Sequence, residues 1–176
     1  MSSIYSSRKV PSVGWIIWTI LALGWMAFIF YKSHQPYTEQ DLKPFLANLI
    51  PESTLTTFTP TIEFSYDGYL VSGQSPYDFF EFFIRKIAHV VEFALLTFLL
   101  CRVFSPWSRR KYMPLIWAGI VSYLYALSDE WHQTFIVGRT GHFEDTLVDG
   151  IGIVVVVMMY SWIRKRKHKK SGLRFR

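Results

Sequence analysis

The chain has 176 residues, 51% of them hydrophobic, 18% aromatic and only 18% charged, with a formal net charge of +6 and a mean hydropathy of +0.19. Soluble domains carry roughly 25% charged residues, so this composition excludes a disordered chain and points to a membrane protein, read here as a single domain over 1–176. The lone cysteine, Cys101, excludes an internal disulfide framework and every multi-cysteine zinc or iron–sulfur pattern.

In chain order, the first predicted element is 13–31, a run without formal charge and about the length that crosses a hydrocarbon core of roughly 30 Å. Arg8 and Lys9 precede it, as they would precede a signal peptide. The length of the run, its flanking Trp and Tyr, and the lack of a small-residue cleavage site favour a retained span. The segment 32–75 follows as an extracytoplasmic loop. It holds Pro36, Pro44, Pro51 and Pro60, then an alternating stretch from Thr61 to Tyr66 and an Asp67-Gly68 pair, which predicts a small β-hairpin. Ser75-Pro76-Tyr77-Asp78 reads as a helix start, with Ser75 as N-cap and Asp78 at the positive dipole end. Further spans are predicted at 87–104, 113–127 and 147–163, and a basic tail at 164–176. The fold class is therefore an all-α membrane protein of four transmembrane helices with a hairpin-bearing outer loop.

Charge sets the orientation. Fourteen of the 19 lysines and arginines fall beside the termini or in the short middle loop, at positions such as Arg8, Arg109, Lys111, Arg164 and Arg174, whereas all 13 acids lie at the opposite ends of the spans. The positive-inside rule then places both termini in the cytoplasm of a multi-pass cell-membrane protein. The basic tail suits contact with anionic inner-leaflet lipids and is too short to be a folded nucleic-acid reader, so membrane lipids and no nucleic acid are the expected partners.

Polar residues inside the apolar segments are the candidate site. Lys86, His89 and Glu92 recur at i, i+3 and i+6 on the second span. Ser128, Asp129, Glu130, His132 and Gln133 cluster at the end of the third. Arg139, His142, Glu144, Asp145 and Asp149 lead into the fourth, where Asp145 and Asp149 share a face beside Gly150 and Gly152, which allow close helix approach. All three clusters fall at one membrane depth, on the outer side. Charge there is costly against lipid and normally faces a protein interior or a wet cavity. Its bland explanation is a set of buried ion pairs that locks helices together. Histidines and carboxylates are donors for a divalent metal or for acid–base chemistry. No H-E-x-x-H spacing is present and Lys86 would repel a cation, so an anionic ligand held by Lys86 and Arg139 ranks above a metal, and no metal or cofactor is expected.

Taken in order, Arg85-Lys86-x-x-His89-x-x-Glu92-Phe93, Ser128-Asp129-Glu130-x-His132-Gln133-x-Phe135-x-x-Gly138-Arg139 and Asp145-x-x-x-Asp149-x-x-Gly152 resemble the signature of the VanZ-like membrane protein family, over about 79–157. The resemblance implies a small multi-pass bacterial membrane protein, in a family whose namesake gives low-level resistance to the glycopeptide teicoplanin. It also implies a polar set at Lys86, His89, Glu92, Asp129, Glu130, His132, Gln133, Arg139 and Asp145. Phe93 stands where many members have Tyr, and Asp149 where many have Asn.

The expected function is binding or processing of an anionic cell-envelope lipid or precursor head group at the outer leaflet, with a contribution to glycopeptide resistance. His89, Glu92, Asp129, Glu130 and His132 are the candidates for proton transfer; Lys86, Gln133, Arg139, Asp145 and Asp149 are the candidates for ligand contact. Two alternatives stand beside it: an envelope lipid hydrolase or transferase, and a structural protein whose polar cluster only locks helices. A transporter fits less well, because the inner halves of the second and fourth spans carry no charge.

Overall fold

In the computed structural model, which describes residues 13–66, 68–107, 110, 112–139 and 141–172, four long helices pack side by side beneath the folded segment that joins α1 to α4. Helix α1 (Val13–His34) begins with the charge-free run and continues past Tyr31 to take in Lys32 and His34. A 3-10 turn at Tyr37–Glu39 leads to two short helices, α2 (Lys43–Leu49) and α3 (Glu52–Phe58). The sequence reading treats this stretch as proline-rich loop. Pro44 near the start of α2 and Pro51 just before α3 instead act as helix starters, because proline's fixed φ suits a first turn whose N–H groups need no partner.

Strands β1 (Glu63–Tyr66) and β2 (Tyr69–Ser72) form the expected hairpin, with Phe64 opposite Val71 and Tyr66 opposite Tyr69. Gly68 has the positive φ, +76°, that the turn needs; Asp67 lies outside the described residues. Helix α4 (Pro76–Phe104) starts where predicted, but Ser75 makes no side-chain cap. Asp78 is instead paired with Lys43 at 3.1 Å. As one unbroken helix of 29 residues, α4 is about 44 Å long, enough to cross the core and project beyond it.

Helix α5 (Met113–Gln133) runs beyond 127 to include the whole second polar cluster, and α6 (Phe143–Gly172) continues through much of the basic tail. Residues 1–12, 108, 109, 111 and 173–176, which include Arg8, Lys9, Arg109, Lys111, Arg174 and Arg176, lie outside the described part. Among the described residues, three helices are long and apolar enough to cross a membrane: α1, α4 and α6. Helix α5 is 21 residues long but is diluted by Ser122, Ser128, Asp129 and Glu130.

The core lies where α4 meets α1, α5 and α6, around Phe93, Leu96, Leu100, Cys101, Leu115 and Ala118. Outward faces carry exposed Ile16, Ile20, Leu23, Ile120, Leu124, Ile151, Val154 and Met158, a surface suited to acyl chains rather than water. Between helices, polar groups act as fasteners. Trp15 Nε1 donates to the Val103 carbonyl and Trp25 Nε1 to the Glu92 carbonyl, both at 3.0 Å, and Tyr125 Oη donates to the Met26 carbonyl at 2.6 Å. Thr97 Oγ1 reaches Ser122 Oγ at 2.9 Å in the buried α4–α5 seam. With apolar solvent outside, packing and such bonds replace the hydrophobic drive between helices.

Gly152 decides how closely α6 approaches α4. A Cβ there would overlap the Val90 carbonyl oxygen and meet the Ala94 nitrogen at 3.0 Å. Gly150 plays no such part, contrary to the sequence reading, since a Cβ there would meet nothing within 4 Å. Accordingly Gly152→Ala should destabilise the protein by about 1–3 kcal/mol through backbone displacement. Gly150→Ala should be neutral or stabilising by about 0.5–1 kcal/mol, from helix propensity alone. Thermal unfolding of the two variants in detergent, followed by tryptophan fluorescence, separates these outcomes.

Candidate functional site: a polar cluster at one end of the bundle

Two rungs join α4 to α6. On α4, Lys86 and His89 stand three residues apart; on α6, Asp145 and Asp149 stand one turn apart, and the helices present these pairs to each other. Lys86 Nζ is ion-paired with Asp145 Oδ1, and His89 Nδ1 lies 3.1 Å from Asp149 Oδ1. The hairpin closes over the first rung: Tyr66 Oη donates to the same Asp145 oxygen at 2.6 Å, and Lys86 Nζ sits 4.3 Å from the Tyr66 ring centroid. Burial and then the Asp145 carboxylate push the Tyr66 phenol above its ordinary pKa, so it stays a neutral donor.

Helix α5 adds Glu130 and Asp129 on different sides. Glu130 accepts from the His142 backbone N–H at 3.1 Å and lies beside His89 and Asp149, with one ligand atom from each of the three within 4.8 Å of the others. Asp129 accepts from Gln133 Nε2 at 3.0 Å. Both carboxylate residues are 4% exposed and Asp149 is 0% exposed. The second predicted histidine is elsewhere: His132 stacks on Phe30 and faces His34 of α1, with the two imidazole nitrogens 3.3 Å apart.

Two cavities open at this end. The larger, about 600 Å³, is lined by Lys43, Arg85, Lys86, His89, Arg139 and Asp145 among others. The smaller, about 250 Å³, is lined by Lys32, Glu92 and Asp129 among others. Arg85, His89, Gln133 and Arg139 line both, so these four residues form the boundary between the two spaces. Of the predicted residues, Lys86, His89, Glu92, Asp129, Gln133, Arg139 and Asp145 thus border a cavity. Glu130 and Asp149 are buried beside His89, and His132 belongs to a separate contact with α1.

The start of α4 and the segment between α1 and α4 supply residues that the sequence reading assigned no role. Glu81, 3% exposed, accepts from Tyr37 Oη at 3.1 Å, from the Leu42 N–H at 3.2 Å and from Arg85 Nε at 3.0 Å. Arg85 also donates to the Gln40 carbonyl at 2.7 Å, and Arg139 donates to the Gln40 side-chain oxygen. The Glu81–Arg85 spacing of one helical turn within a Phe-rich stretch is a legible signal; the arrival of Tyr37, Gln40 and Tyr66 from the loop has none. Burial, followed by the Glu81 charge, raises the Tyr37 phenol pKa, and the Asp78 carboxylate holds Lys43 above the usual ammonium range. Burial and the neighbouring Arg85 charge lower the pKa of Arg139.

The Lys86–Asp145 rung is half-shielded, with about a fifth of each side chain exposed. A double-mutant cycle with Lys86→Ala and Asp145→Ala should therefore give a coupling energy of about 1–2 kcal/mol, and Tyr66→Phe a loss of about 1 kcal/mol, by equilibrium unfolding in detergent.

No solved structure matches the chain. The Bacillus subtilis (strain 168) protein described as uncharacterized membrane protein YwnJ is 29% identical over 150 residues, covering 85% of this chain and 94% of that protein. The VanZ/LLP1 family model matches residues 18–164, which takes in all three polar clusters, both rungs and the segment between α1 and α4; the chain is a membrane protein that belongs to the VanZ/LLP1 family.

Proposed function

We propose that the larger cavity binds the anionic head group of a membrane lipid or cell-envelope precursor at the outer leaflet, with Arg139 as the anion-holding group; Lys86 lines the same cavity with its charge paired to Asp145. The observation that carries this reading is the state of Arg139. Its guanidinium is partly buried, makes no ion pair among the described residues, and leaves Nε without a partner. Arg85, the other guanidinium at the boundary, is already neutralised by Glu81 at 2.9 Å. A half-desolvated cation with free donors is stabilised by an oxyanion, and the planar fork of Arg matches phosphate or carboxylate.

In this reading the chain crosses the membrane four times, with α5 as the fourth span and both termini in the cytoplasm. The distribution of Lys and Arg supports that orientation. So does the separation of Arg102 and Arg164, at one end of the bundle, from the polar cluster at the other. The head group then meets the cavity from the outer surface, and glycopeptide resistance would follow from retention of such a ligand there. His89 and Glu130 lie where they could orient the head group or move a proton if chemistry occurs. The helix-locking role is the second reading, favoured by the two α4–α6 rungs.

Purified protein in detergent, incubated with phosphatidylglycerol or with phosphatidylcholine and examined by native mass spectrometry, tests the first reading. The anionic lipid should be retained preferentially, and Arg139→Ala should weaken that retention roughly tenfold or more at unchanged folding. Equal retention by wild type and Arg139→Ala would leave only the locking role. For the orientation, a reporter active only in the cytoplasm should work when fused after Arg176 and fail when inserted between α3 and the hairpin.

A further inference from the structure

We propose that His89, Glu130 and Asp149 form a binding site for a divalent metal ion, of the zinc or manganese class, at the meeting point of α4, α5 and α6. Each helix contributes one residue, and the three candidate ligand atoms lie within 4.8 Å of one another. Ligands bonded at about 2.1 Å around a tetrahedral or octahedral ion stand about 3.0–3.4 Å apart. The observed 3.1 Å between His89 Nδ1 and Asp149 Oδ1 falls in that range.

Unsatisfied oxygens point the same way. Glu130 Oε1 and Asp149 Oδ2 have no hydrogen-bond partner, although their residues are 4% and 0% exposed. A buried carboxylate oxygen without a donor carries a desolvation cost that a cation removes. Charge balance agrees. Glu92, Asp129, Glu130 and Asp149 make no ion pair with Lys or Arg among the described residues; of the cations around them, Arg85 and Lys86 are paired with Glu81 and Asp145, which leaves Lys32 and Arg139. With His89 neutral, as a ligand must be, four carboxylates against two cations leave an excess that one divalent ion offsets.

Lys86 is the obvious objection, since an ammonium on the same helix repels a metal. Its charge, however, is taken up by Asp145 on the outer rung, with Tyr66 donating to the same oxygen. A mixed nitrogen and oxygen donor set suits zinc or manganese better than calcium or magnesium. Three protein ligands are also the number that leaves a coordination position for water or a ligand oxygen. His89 borders both cavities, so the ion would adjoin the head-group space while Glu130 and Asp149 anchor it from within. Metal binding is independent of the lipid reading and is tested without lipid.

The test uses untagged full-length protein in detergent, stripped with a chelator, exposed to Zn²⁺ or Mn²⁺ and passed over a desalting column. Elemental analysis should find about one ion per chain, and thermal unfolding should shift upward with the metal. Glu130→Gln and His89→Gln, which keep side-chain size, should weaken binding roughly tenfold or more, while His132→Gln should bind as wild type does. Wild-type protein that retains neither ion overturns the proposal, whatever the variants do. So does loss of the ion in His132→Gln with retention in Glu130→Gln, which would move the metal to the His34–His132 pair.

Discussion

Charge buried within an apolar bundle must find a partner on a neighbouring helix, and here that requirement falls on the contact between α4 and α6. Lys86 meets Asp145 and His89 meets Asp149 across a seam that Gly152 keeps narrow by letting α6 lie against the Val90 carbonyl. A wider seam would leave two carboxylates and an ammonium in a medium that solvates neither. The remaining polar architecture is fastened to these rungs. Glu130 brings α5 to the inner one, and Tyr66 brings the hairpin to the outer one.

The segment between α1 and α4 is built around a second buried charge. Glu81 gathers Tyr37, the Leu42 backbone and Arg85, and Arg85 in turn holds the Gln40 carbonyl. That network fixes the 3-10 turn and the start of α2 over the bundle end, and Val71 of the hairpin is buried as well. The loop thereby becomes the wall of both cavities, and Arg139 is left at their boundary with a neutral amide as its acceptor. Whereas Lys43, Arg85 and Lys86 at this end are each paired with a carboxylate, the Arg139 guanidinium makes no ion pair among the described residues.

Much of this arrangement is legible in the chain because helical spacing is a local property. Lys86 and His89, and Asp145 with Asp149, share faces by arithmetic alone, and the apolar runs around them mark the helices. The Asp67-Gly68 pair marks the hairpin for an equally local reason. Other features are misread from sequence for physical causes. Pro44 and Pro51 suggest open loop but start α2 and α3. Ser75 has the chemistry of an N-cap without adopting its bond. Gly150 and Gly152 look equivalent, yet the helix rotation turns only Gly152 toward α4.

The sequence by itself determined that the chain is a membrane protein, where α1, α4 and α5 begin, and which polar residues share a helix face; hydropathy and charge act residue by residue along the chain. Only the tertiary structure decided which partner each charge takes. Lys86 goes to Asp145 and His89 to Asp149; Glu130 joins the second pair, and His132 leaves the cluster to stack on Phe30. Helix rotation and interhelical distance select those partners over separations of about 60 residues, and neither quantity is written in local spacing.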